Sequence, residues 1–133
     1  MEQRKVKSVI PFDRARAKAL LAEARDEADR DGWDGAGSKA VAPEVFRSAQ
    51  RFIDLLPDDL ETPEIVADPD GEIEFEWSVT PWRVVSICMG DGGRLGYIAF
   101  FGQAEKVRGS MTFGDFMPPI IPFLLNRLFS SSE

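Results

Sequence analysis

The sequence predicts one α+β domain: two N-terminal helices, a four- to five-stranded antiparallel meander sheet and a C-terminal helix, with the helices chiefly on one face. Three observations carry this prediction. Apolar residues recur at helical spacing between Asp13 and Leu56, and again after Pro118. Between those regions the chain changes to short apolar segments cut by Asp68-Pro69-Asp70-Gly71 and Asp91-Gly92-Gly93. Such breaks are too short for a parallel crossover, so neighbouring strands must run antiparallel.

Residues 1–11 read as an arm or short edge strand, in which Val6, Ser8 and Ile10 alternate with Lys5, Lys7 and Val9 before Pro11. Asp13 to Asp31 reads as a helix. Ala17, Leu20, Leu21, Ala24 and Ala28 form one stripe, and Asp13 suits the N-cap. Gly32, Gly35 and Gly37 break it, and Trp33 in that loop is expected to plug the edge of the core. A second helix begins at Pro43, where a missing N–H costs nothing, and stops at Pro57. Its apolar face is Val45, Phe46, Ala49, Phe52, Ile53 and Leu56.

Five strands follow: Ile65–Ala67, Glu72–Trp77, Arg83–Gly90, Arg94–Gly102 and a shorter Lys106–Phe113. Asp68 to Gly71 has the pattern of a type I turn with a glycine bulge. The third and fourth strands are apolar on both faces, so they are expected to be central and more fully covered. The second is apolar on one face only. A final helix is expected over about Pro119–Phe129, apolar nearly all round, before a frayed tail at 130–133.

A chain of 133 residues is one domain long and buries roughly two-thirds of its unfolded surface, enough for a core without staples. Its one cysteine, Cys88, excludes a disulfide framework within the chain and fits a reducing cytoplasm. The N-terminus lacks the apolar run of a signal peptide, and no stretch reaches the length of a membrane span. The absence of histidine excludes a Ser-His-Asp triad, a Cys-His pair and ordinary zinc sites. Carboxylate-based metal sites, or Lys and Arg with carboxylates, are the remaining enzyme chemistry.

Charge is unevenly placed. The net charge is −7, yet Asp58 to Glu76 alone holds nine carboxylates and no Lys or Arg. The rest of the chain is slightly positive. This balance argues against direct nucleic-acid binding, which needs cations on phosphates, and favours a basic partner protein, such as a nuclease or nucleic-acid-binding protein. Within the segment, Ile73, Phe75 and Trp77 alternate with Glu72, Glu74 and Glu76. Successive glutamates lie roughly 7 Å apart and repel by about 0.6 kcal/mol in water. Each inward apolar residue gains roughly 1.5–3 kcal/mol on burial, so folding tolerates the stripe without needing it. Two readings stay open: a contact surface for a basic protein, or an ordinary solvated strand face. The candidate contacts are Asp68, Asp70, Glu72, Glu74 and Glu76.

Other motifs point elsewhere. Asp-Pro-Asp-Gly-Glu lacks the ligand spacing of a calcium loop and suits a turn. Glu105-Lys106 lacks the intervening residue of a carboxylate nuclease motif. Gly90-Asp91-Gly92-Gly93 is followed by a strand, so it reads as a hairpin and not a phosphate loop. No catalytic residue, metal ligand or cofactor is assigned. Cys88 reads as a buried small apolar residue, since no histidine can activate it. The C-terminal helix reads as core, with a homodimer seam through Phe123, Leu124, Leu128 and Phe129 as the alternative.

Gly32-Trp33-Asp34-Gly35, Pro43-Glu44, Phe52, Leu56-Pro57, Pro63, Asp68 to Ile73 and Glu76-Trp77 together resemble a group of small bacterial proteins with a WDG…LP…DPDGEI…EW pattern. The resemblance covers roughly residues 31–102. It implies a bacterial or phage cytoplasmic origin and supplies no activity and no catalytic residue. The expectation is therefore an acidic, non-enzymatic protein-binding module, of the antitoxin, immunity or phage anti-defence inhibitor type. A carboxylate-based metal-dependent enzyme and a homo-oligomeric structural protein are the alternatives.

Overall fold

The computed structural model describes residues 12–130, so the N-terminal arm and residues 131–133 of the tail lie outside it. The element order is α1 (Arg14–Glu27), α2 (Pro43–Leu55), β1 (Glu64–Ala67), β2 (Ile73–Thr80), β3 (Arg83–Gly90), β4 (Arg94–Phe101), β5 (Lys106–Thr112) and α3 (Ile120–Ser130). The five strands form one antiparallel sheet in the order β1-β2-β3-β4-β5. The structure thus has the expected α+β architecture of three helices on a meander.

α1 is shorter than the sequence suggests. Asp13 caps it by accepting from the Arg16 N–H, but it ends at Glu27. Ala28 follows in a non-helical conformation and remains in the core. The polar run after it then turns through Gly32, whose positive φ a side chain would resist. Trp33 is half-buried against the core, and its indole N–H donates to the Lys39 carbonyl at 2.9 Å.

The helices share one core with one face of the sheet. α1 packs on α2 and β1, whereas α2 and α3 pack over β2 and β3. From the sheet this core takes Ile65, Ile73, Phe75, Trp77, Val85, Ile87, Met89, Leu95 and Ala99. The Phe52 and Phe75 rings meet at 4.9 Å between centroids, tilted by 55°. The Trp77 indole donates to the Glu61 carbonyl at 2.7 Å, so its polar edge is satisfied inside.

Two arginines finish helices that are distant in sequence. Arg14 donates to the carbonyls of Ile53 and Leu56, at the end of α2, and to Asp58. Arg83 donates to the carbonyls of Arg127 and Leu128, at the end of α3. Each supplies donors to carbonyls of a helix's last turn and a positive charge at the negative end of its dipole.

α3 contributes Ile121, Leu124, Leu125 and Leu128 to the core, while Phe123 is 61% exposed. Two of the four residues considered for a seam, Leu124 and Leu128, are therefore consumed inside the chain. Among the described residues, no helix is long and apolar enough to cross a membrane.

Two expectations are corrected. β3 and β4 are central, but among the described residues no helix lies over their outer face. Ile98 and Phe100 remain 37% and 38% exposed there. Cys88 is not a core residue. Alternation along β3 sends Ile87 and Met89 inward, so Cys88 lies half-buried on the outer face.

Candidate functional site

The uncovered face of the sheet gathers the sequence-predicted acids. The register places Glu74 beside Cys88 and Val66, and Glu76 beside Ser86 and Glu64. Inward anchoring of Ile73, Phe75 and Trp77 forces the glutamates between them outward, because side-chain direction alternates along a strand. The turn before them is held from both sides. Asp68 accepts from the N–H groups of Asp70 and Glu72 with one carboxylate oxygen. Lys39 donates its N–H to the Pro69 carbonyl at 2.9 Å, tying the turn to the glycine-rich loop. Gly71 sits at φ +86°, and a Cβ there would lie 3.2 Å from the Ala40 carbonyl oxygen. Asp68, Glu72 and Glu74 are thereby assembled on the outer face. Asp70 stands exposed on the turn, and Glu76 stands further along β2.

Compensation for these charges is sparse. Of Glu64, Asp68, Asp70, Glu72, Glu74 and Glu76, Glu72 alone forms an ion pair among the described residues, with Arg94 at 3.3 Å. Glycine makes that pair feasible. A Cβ on Gly90 would come within 2.9 Å of a Glu72 carboxylate oxygen, so the carboxylate crosses over Gly90 to reach β4. Ser86 donates to Glu74 at 2.9 Å. Partial burial, reinforced by Asp68, pushes the Glu72 carboxyl above its ordinary range despite Arg94. Partial burial also pushes Glu76 up, with Glu74 and Glu64 adding to the effect. Glu64 and Glu76 are directly paired across the strands, an arrangement of like charges that destabilises a sheet.

The same face has another half that the sequence reading did not single out. Arg94 on β4, and Lys106 and Arg108 on β5, alternate outward with Ile98 and Phe100. The Lys106 ammonium lies 5.6 Å from the centre of the Phe100 ring. Between the acidic and basic halves runs a trough of about 590 Å³. Its middle is lined by small side chains, Ser86, Cys88, Gly96 and Ser110. The period-two alternation of β4 and β5 was visible in the sequence. Only the register decides that their outward residues share a face with the glutamates.

Asp68, Glu74 and Cys88 bring one donor atom each within 4.8 Å of one another. Burial, with Glu74 and then Glu72 adding repulsion, pushes the Cys88 thiol up to about 12. At neutral pH this group is a protonated thiol and a poor nucleophile.

No family model, no curated protein and no solved structure matches the chain.

Proposed function

We propose that the chain is a non-enzymatic protein-binding module. The uncovered face of its sheet receives a basic segment of a partner protein along Asp68, Asp70, Glu72, Glu74 and Glu76. The observation that carries this reading is the six carboxylates gathered on the β1–β2 half of the face, with Arg94 as their one ion-pair partner among the described residues. Partial burial disfavours the charged forms of Glu72 and Glu76, and an incoming Lys or Arg would favour them. Such a site steers a cationic partner from a distance and fixes its register on contact. A partner whose own function needs that basic surface, such as a nuclease, would be blocked by occlusion. That is the action of an antitoxin, immunity or anti-defence inhibitor.

The test uses the triple variant Glu72→Lys, Glu74→Lys, Glu76→Lys beside the neutral triple Glu→Gln and a control, Asp26→Lys with Asp29→Lys on the opposite layer. A partner captured by the wild type is identified, purified and titrated against each. The reading expects a basic partner whose affinity falls at least about 100-fold with the lysine triple, less with the glutamine triple, and little with the control. Binding should also weaken with salt. Unchanged affinity of the lysine triple at low salt refutes it.

A further inference from the structure

The uncovered face is self-complementary, and we infer that it also binds a second copy of this chain, forming a face-to-face dimer that competes with any basic partner. β3 and β4 carry apolar residues on both faces, a pattern that belongs to strands buried on both sides. Among the described residues the helices cover only one side. The exposed Val66, Ile98 and Phe100 are left on the other, among half-buried Val84 and Cys88.

Charge then selects the second copy and its orientation. The acidic residues lie on β1, β2 and the turn between them, and the basic ones on β4 and β5, on either side of the central β3. A two-fold axis lying in the interface along β3 places β1 over β5 of the second copy and β2 over its β4. In the observed register, Glu64 then faces Arg108, Glu72 faces Arg94, and Cys88 faces its own counterpart. An axis across the strands would instead stack acid on acid. Isologous contacts need such a self-complementary patch, and aligned sheets pack within about 30° of each other.

The area is sufficient. Five strands at roughly 4.8 Å spacing, and about seven residues long, present a projected area of about 550 Å². Two copies therefore cover more than about 1,000 Å², the lower bound for a specific interface. The row of small residues, Ser86, Cys88, Gly96 and Ser110, lets the two sheets approach closely. Dimer and partner occupy one face, so a basic partner must dissociate the pair before binding.

The test is sedimentation equilibrium over a wide concentration range, with a charge swap. The wild type should reach twice its 14.8 kDa mass. Arg108→Glu should weaken the dimer about tenfold or more, because it sets carboxylate against Glu64. Adding Glu64→Arg to Arg108→Glu should restore it. Positions 64 and 108 lie on opposite edge strands, roughly 19 Å apart across four strand spacings, so this rescue cannot arise within one chain. A monomer at all concentrations overturns the inference. So does a dimer unaffected by Arg108→Glu but abolished by Phe123→Ser, which would place the contact on α3. Neither outcome touches the partner reading, which fails on its own titration.

Discussion

Gly109→Ala should destabilise the protein in the presence of Tyr97 and stabilise it in its absence. Gly109 on β5 is paired with Tyr97 on β4. A Cβ at Gly109 would lie 2.6 Å from the Tyr97 Cζ and 3.0 Å from its Cε2, so the ring rests on the bare glycine backbone. The φ of Gly109 is not left-handed, so alanine suits the backbone there. Alanine in a strand is favoured over glycine by about 0.5–1 kcal/mol. Against that, the methyl group must displace a packed, half-buried ring, and overpacking of this kind costs about 1–3 kcal/mol. The net effect is a loss of up to about 2.5 kcal/mol. With Tyr97→Ala already in place the obstruction is gone, and the same substitution should gain about 0.5–1 kcal/mol. Urea denaturation of the four proteins closes the cycle, with midpoints compared at constant slope. If Gly109→Ala has the same effect in both backgrounds, the ring does not depend on the missing side chain and the reasoning fails.

Arg14→Met should cost about 1–3 kcal/mol, because it leaves the Ile53 and Leu56 carbonyls without their charged donor, and Arg14→Lys should recover only part of this; thermal melts of the three proteins decide. Glu76→Gln should stabilise the fold at pH 7 by about 0.2–1 kcal/mol, by removing a partly buried charge and the repulsion from Glu74 and Glu64. A raised carboxyl pKa gives stability that is fully present below the unfolded value and is lost as pH rises through the folded one. The advantage of the glutamine variant should therefore shrink to nothing as pH falls toward 4, and a pH-independent advantage would refute the electrostatic account. Cys88, with its thiol pushed up to about 12, should react with a disulfide reagent at a rate that rises roughly tenfold per pH unit from pH 8 to 10. Glu74→Gln should quicken that reaction, whereas a plateau near pH 9 would show an ordinary thiol.

The sequence by itself determined the elements and their order. α2 was readable because its apolar face, its initial proline and its terminal proline agree. The direction of Glu72, Glu74 and Glu76 was readable because alternation is a local property of a strand. The half-exposed position of Cys88 was not, since it depends on what covers the outer face of β3. Arg14 shows why: it donates to the last turn of a helix, at an Ile53 carbonyl 39 residues away, and no local pattern marks it. The sequence already placed the helices chiefly on one face; the tertiary structure alone decided that Arg94, Lys106 and Arg108 share the other side with the glutamates. Local periodicity sets which way a side chain points from its own strand. Register and layering, which join residues distant in the chain, set what it points at.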